Sequence, residues 1–432
     1  MEAAHDPYTA LRIPDFRRLL TGNMLASVGT QMQSVAVGWE LYQRTGSATA
    51  LGLVGLVQFL PVILLSLPAG HAADHFSRKG LLMGAQALMA SASLGLASLS
   101  FMQGPIPLMY ACLLVVGISQ AFNSPARWAL VAMVVPEGAL ANAMTWNSSG
   151  WQIASVVGPA LGGLVIEQTG MAGFAFLLTA LCCLSCTVLV ALLHPRPTKR
   201  LREPASLRTL LAGVNFVWSN PIILATITLD LFAVLFGGAT ALLPIYAKDI
   251  LQVGPTGLGW LMAAPSLGAL AMALALAHRP PLKRPGRALL WAVAGFGAAT
   301  IVFGFSHNFL LSLTMLALTG ALDNISVVVR STLVQVLAPD AMRGRVAAVN
   351  AIFISSSNQL GAFESGITAA AFGPIASVAG GGFATLLVVA LVIWKWPQVL
   401  RLGPLHQSQR VSEEEAAAEI MEQGEELTER RA

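Results

Sequence analysis

Charge is what this sequence has least of. Only 11% of its 432 residues are Asp, Glu, Lys or Arg, against about 25% in an ordinary soluble protein. A soluble chain of this length could not cover its surface with so few. Cysteine is also scarce. Cys112, Cys182, Cys183 and Cys186 all lie in apolar stretches. No His, Asp or Glu stands beside the Cys-Cys-x-x-Cys group, so these read as buried apolar thiols rather than metal ligands. The seven histidines are scattered. They suggest neither a metal cluster nor a nucleophile–base pair, which argues against an enzyme and against a resident cofactor. No motif that reads nucleic acid is present. What the chain has in quantity is apolar residues, 55% of the total, with a mean hydropathy of +0.69. Disorder is excluded, and an integral membrane protein remains.

The net charge of +4 hides an asymmetry. Residues 411–432 hold eight Glu and two Arg, so residues 1–410 carry 23 basic against 13 acidic groups. A basic excess in a membrane protein reports orientation. The N-terminus has acids before its first apolar run, unlike a cleavable signal peptide.

A spanning helix needs about 20 predominantly apolar residues. Twelve such segments are expected, near 17–42, 48–70, 80–101, 107–130, 141–166, 171–193, 221–247, 255–277, 288–306, 309–336, 345–370 and 380–398. With the N-terminus inside, the cytoplasmic side receives Arg12, Arg17, Arg18, Arg78, Lys79, the basic run from Arg196 to Arg208, the group Arg279, Lys283, Arg284 and Arg287, and the pair Arg343 and Arg345. Only Arg44 and Lys248 fall outside. The expected location is the cytoplasmic (inner) membrane, with both termini in the cytoplasm. The domains expected are a six-helix bundle over 1–193, a cytoplasmic linker over 194–220 with an amphipathic helix, a second bundle over 221–400 and an acidic tail over 401–432. Within the tail, Ser412 and Glu415 fit a helix-capping box.

The halves repeat. Arg127, Pro136 and Asn147 are matched by Arg330, Pro339 and Asn350, each 203 positions later. Gly55 and Pro61 are matched by Gly259 and Pro265 at a shift of 204. Two homologous bundles are the build of a transporter whose substrate binds between them.

Polar side chains within spans need a reason. Asn23, Ser27, Gln31 and Ser34 share one face of the first span. Thr145, Ser148, Ser149, Gln152 and Ser155 stripe the fifth. Asn350, Ser357, Asn358 and Glu364 stripe the eleventh. Such stripes line a water-filled cavity or bond helices together. Asp230, Asp323, Glu364 and Glu40 also lie within spans, and carboxylates there are candidates for function. Desolvation favours the neutral form of a carboxylate, which suits a proton carrier. For Glu40 the competing role is a simple pair with Arg44. For Asp230 and Asp323 it is a structural bond between helices. Arg127 and Arg330 at the inner mouth either bind an anionic group or serve structure, and their symmetric placement favours structure.

The stretch Gly70-His71-Ala72-Ala73-Asp74-His75-Phe76-Ser77-Arg78-Lys79 resembles the G-x-x-x-D-[RK]-x-G-[RK]-[RK] signature of the major facilitator superfamily. Gly70, Asp74, Arg78 and Lys79 match, while His75 and Ser77 depart from it. Gly158-Pro159-Ala160-Leu161-Gly162-Gly163 resembles the antiporter motif of that superfamily's exporters. The opening LRIPDFRRLLTGNMLASVGTQ and Arg343-Gly344-Arg345-Val346 are similar to the subgroup of enterobactin-type siderophore exporters and macrolide efflux proteins, drug:proton antiporters. The resemblance implies an all-α membrane fold of twelve helices in two pseudo-symmetric six-helix bundles. It also implies that the Asp74 loop latches the halves. The expected function is proton-coupled export of a small amphipathic molecule, a siderophore or drug, by a monomer in the bilayer. The alternatives are a lysophospholipid flippase and, in another class, a non-transporting membrane sensor.

Overall fold

The computed structural model describes residues 6–194, 207–280 and 282–403. The basic run at 195–206 and the acidic tail lie outside the described residues. The first half contains α1 (Pro14–Thr45), α2 (Ala48–His75), α3 (Arg78–Phe101), α4 (Ile106–Val134), α5 (Leu140–Thr169) and α6 (Gly173–Ala191). The amphipathic stretch forms α7 (Leu207–Ser219). The second half contains α8 (Pro221–Gly237), a single turn α9 (Leu243–Ile245), α10 (Gly254–Ala277), α11 (Pro285–Phe305), α12 (Phe309–Leu337), α13 (Asp340–Phe372) and α14 (Pro374–Lys395). No strand occurs among the described residues.

Local chemistry marks the helix ends. The side chains of Ser47, Ser77, Asn220 and Asn308 cap the first turns of α2, α3, α8 and α12. Each accepts a hydrogen bond from an amide that the helix leaves unpaired. Gly46 and Gly170 end α1 and α5 with φ of 59° and 71°, a conformation open to glycine without strain.

Among the described residues, ten segments are long and apolar enough to cross a membrane. The two long helices outside that set are α1 and α13, with 32 and 33 residues. These carry two of the three polar stripes. Their polarity is affordable because they pack between other helices: α1 against α5 and α6, α13 against α2 and α8.

The seventh span departs from expectation. It is not one helix over 221–247. The α-helix stops at Gly237, and a 3-10 turn (Ala239–Leu242), the turn α9 and a π-turn (Tyr246–Ile250) follow. Pro244 lacks the amide that would continue the ladder. Gly238 adopts a non-helical ψ of 66°.

The two halves meet mainly through α5 with α10 and α2 with α13. The apolar cores show where. One cluster joins Met32, Val35 and Leu41 of α1 to Leu242, Tyr246 and Leu258 of the second half. It lies at the end of the bundle far from the termini. Toward the terminus end the cores divide. Phe16, Leu130 and Val190 belong to a cluster of the first half alone, and Leu229, Leu289 and Val392 to one of the second. The α7 helix docks on the second half through Val217, beside Val346 and Val349 of α13, and leaves Trp218 exposed. The molecule is thus closed at the far end and divided at the terminus end.

Glycines make the closed seam possible. A Cβ on Gly259 of α10 would stand 2.5 Å from the Pro159 carbonyl oxygen of α5. Gly52 and Gly366 bring α2 and α13 equally close. Gly84, by contrast, faces open space. Gly259→Val should destabilise the folded protein by about 1–3 kcal/mol through overpacking, while Gly84→Ala should be neutral or mildly stabilising. Thermal unfolding of the two variants in one detergent checks the pair.

Candidate functional site

Three polar constellations stand out, one between the halves and one within each half. The first is at the far end. The Tyr42 hydroxyl of α1 donates to the Asp249 carboxylate of the π-turn, across the halves. The Lys248 ammonium stands 5.4 Å from the centre of the Tyr42 ring, within cation–π range. Glu40 pairs with Arg44 at 3.4 Å, and Arg44 also donates to the Gly104 carbonyl. Glu40 thus has Arg44 as its partner, while its Oε2 is buried without one. Tyr42 and Asp249 were not legible as partners. They are 207 positions apart, and no periodicity connects them.

Just beneath this closure is a cavity of about 230 Å³, lined by Ser34, Gln58, Thr240, Asn358 and Gln359 among others. It lies below the ~300–1,000 Å³ usual for drug-sized ligands. The stripe residues divide between the two roles foreseen for them. Ser34 and Asn358 line the cavity. Gln152 instead bonds the halves, donating to the Ser266 carbonyl of α10 at 3.1 Å. The Gln31 Cβ would stand 2.6 Å from a Cβ built on Gly158, so α1 and α5 pack closely there. The motif's other glycines allow close packing too, Gly162 within the first half and Gly163 at the seam. Gly162 meets Met32 of α1, and Gly163 lies against Pro255 and Gly259 of α10. Pro159 sits between them in α5.

The second constellation is in the second half. Asp230 of α8 and Arg330 of α12 form an ion pair, with side chains 8% and 3% exposed. Asp323 lies two turns along α12 from Arg330. It shares with Asp230 and Ser326 the lining of a void of about 10 Å³, room for about one water. The Ser326 hydroxyl is buried without a partner. Structure thus brings Asp230, Asp323 and Arg330 together. Glu364 is half-buried on α13 and forms no ion pair among the described residues.

The third constellation is the counterpart in the first half. Arg127 Nη1 donates to Ser27 Oγ at 3.4 Å, and Nη2 to Asn147 Oδ1 at 3.5 Å. Asn23 donates to the same Asn147 oxygen at 3.5 Å. The shift of 203 carries Arg127 onto Arg330, and it also carries Ser27 onto Asp230. The geometry therefore repeats, but the carboxylate does not. The 203 shift was readable in the sequence, yet a Ser–Asp match is too dissimilar to stand out.

At the terminus end, the Lys79 ammonium donates to the Ala191 and Leu193 carbonyls at 2.7 and 2.9 Å. Arg18 donates to the Leu192 carbonyl at 3.2 Å. Both cations sit where the α6 dipole is negative. Lys79 of the loop signature therefore bonds within its own half. Gly70 lies inside α2, which runs on to His75, and Arg78 begins α3. The Asp74 side chain lies outside the described residues.

A two-bundle membrane fold with glycine seams and a polar interface is that of a major facilitator transporter. Solved structures of similar fold include a bacterial homologue of the human lysosomal transporter Spinster, in an inward-facing and occupied conformation. It has a TM-score of 0.67, is 14% identical, and the match covers 90% of this chain and 96% of that one. A D-xylose–proton symporter matches with a TM-score of 0.66 at 14% identity, over 88% and 96%. The chain belongs to the family described as transmembrane secretion effector, whose model matches residues 5–424. Its relatives include the multidrug efflux pump Tap of Mycolicibacterium fortuitum, 28% identical over 384 residues, covering 86% of this chain and 91% of that protein. The enterobactin exporter EntS of Shigella flexneri is 26% identical over 384 residues, covering 88% and 91%. The chain is a multi-pass membrane transporter and not an enzyme.

Removing one partner of a buried pair strands the other charge, which costs about 3–5 kcal/mol. Asp230→Asn and Arg330→Met should each lower the thermal midpoint sharply. Asp230→Leu combined with Arg330→Met should recover most of the loss. A double-mutant cycle of thermal midpoints checks this, and additive losses would contradict it.

Proposed function

We propose that this protein is a proton-coupled exporter of a small amphipathic molecule, working by alternating access. The export direction is supported by the names of its relatives, an efflux pump and a siderophore exporter. The antiporter-like Gly158-Pro159-Ala160-Leu161-Gly162-Gly163 seam supports it too. The bias of Arg and Lys to the terminus end supports a cytoplasmic position for both termini. On that reading the structure is closed to the outside and divided toward the cytoplasm, ready to take up cargo.

The observation that carries the coupling is the charge count at Asp230, Asp323 and Arg330. Two carboxylates face one guanidinium, so the cluster holds one negative charge in excess. A net charge is costly away from water. One proton cancels it. Asp230 is occupied by Arg330, which leaves Asp323 to carry that proton beside its small void. When the void meets the outside, Asp323 is protonated and the cluster is neutral. When it meets the cytoplasm, the proton leaves, and the ion pair remains as a structural strut. Cargo and proton thus move in opposite directions without sharing a site.

Proteoliposomes with an imposed pH gradient and a panel of siderophores and macrolides provide the test. The wild-type protein should move at least one panel member against its gradient. Asp323→Asn should lose gradient-driven movement at least tenfold while keeping cargo exchange at zero gradient. Full gradient-driven transport by Asp323→Asn would remove that residue from the mechanism. An absence of gradient-driven movement for every panel member would remove proton coupling altogether.

A further inference from the structure

The two pseudo-equivalent arginines are solvated by different chemistry. Arg330 has a carboxylate, Asp230, in contact. Arg127 has a hydroxyl and a carboxamide in the corresponding place. Among the described residues no carboxylate stands within 4 Å of Arg127. Its Nε is buried without an acceptor, and so is Nδ2 of Asn147. The Asn147 oxygen is already shared by Asn23 and Arg127. The constellation therefore has more donors than acceptors: two buried N–H groups, a positive charge, and nothing negative to answer them. An unpaired cation and unsatisfied donors are among the most costly things to place in a membrane. The second half removes that cost with its own aspartate. The first half supplies no carboxylate there among the described residues.

Arg127 is also only half-buried, whereas Arg330 is buried. It lies on α4 about two turns from the terminus end, on the side where the two cores divide. A guanidinium edge offering Nε beside Nη matches the two oxygens of a carboxylate.

We propose that Arg127, with Asn147, Asn23 and Ser27, is the recognition site for an anionic oxygen group, a carboxylate or its equivalent, on the amphipathic cargo. The cargo anion takes in the first half the place that Asp230 takes in the second. The assignment of this anion to a cargo rests on the exporter reading, but its binding does not. The cargo class is accordingly amphipathic organic anions rather than the lipophilic cations handled by sites with an unpaired acid. The symmetry that favours a structural role for both arginines holds only for Arg330.

The experiment uses the full chain in nanodiscs with radiolabelled 4-phenylbutyrate and its neutral amide as matched probes. Equilibrium binding should be saturable for the carboxylate and about tenfold or more weaker for the amide, the scale of a charge-assisted hydrogen bond. Arg127→Gln should abolish the preference, and Arg127→Lys should keep part of it. Ser27→Asp copies the second half into the first and supplies an internal counter-ion. It should weaken carboxylate binding about tenfold with an unchanged or raised thermal midpoint, so the test does not depend on Arg127→Gln folding. Equal affinity for acid and amide, no saturable binding of the acid, or wild-type binding by Ser27→Asp would each overturn the site. Parallel proteoliposome assays separate the two proposals. Arg127-dependent binding without transport leaves the site standing and defeats the exporter reading. Transport indifferent to cargo charge does the reverse.

Discussion

A guanidinium held inside a membrane must find its counter-charge locally, because no water is there to screen it. The rest of this structure is arranged around that requirement. In the second half it is met within the protein, by Asp230 on Arg330. In the first half the same geometry, carried by the same 203-residue shift, stops at a hydroxyl and an amide. The repeat thus conserves the position of the cation while changing its partner. One half is completed by its own side chains and the other by something that arrives. A transporter built from two equal halves needs some such inequality, since a symmetric interface gives cargo and coupling ion no separate places.

The polar helices explain why the halves can meet and part. Helices α1 and α13 are the two long helices too polar for the hydropathy criterion that ten other segments meet. Among their polar side chains, Asn23 bonds to Asn147 and Ser365 to the Gly238 carbonyl. Between them the glycines of α2, α5, α10 and α13 bring backbones into direct contact at the far end. Close backbone packing is stable without large side chains to disengage. The Tyr42–Asp249 hydrogen bond and the Gln152–Ser266 hydrogen bond are polar contacts that join the halves.

Much of this was legible beforehand, for reasons particular to the solvent. Lipid demands long apolar helices, so segment lengths and loop charges revealed the count and the two-fold repeat. The loop signature and the glycine-rich motif of α5 indicated the superfamily. The acids Asp230 and Asp323 stood out because carboxylates are rare in such segments. The break of the seventh span after Gly237 was missed, although Gly238 and Pro244 mark it, because the stretch to 247 is apolar enough to read as one span. The sorting of the stripe residues was not legible. Gln152 and Asn358 look alike in sequence, yet one bonds across the seam and the other lines a cavity.

Sequence by itself determined the class of protein, its helices and its two halves, because each follows from composition and spacing along the chain. Tertiary structure alone decided which charges are answered. Pairing depends on distances between helices far apart in sequence, and a side chain's neighbours across a seam leave no periodic trace. Arg127 and Arg330 are equivalent as letters and in position. Only the packed molecule shows that one has an aspartate in contact and the other a hydroxyl and a carboxamide.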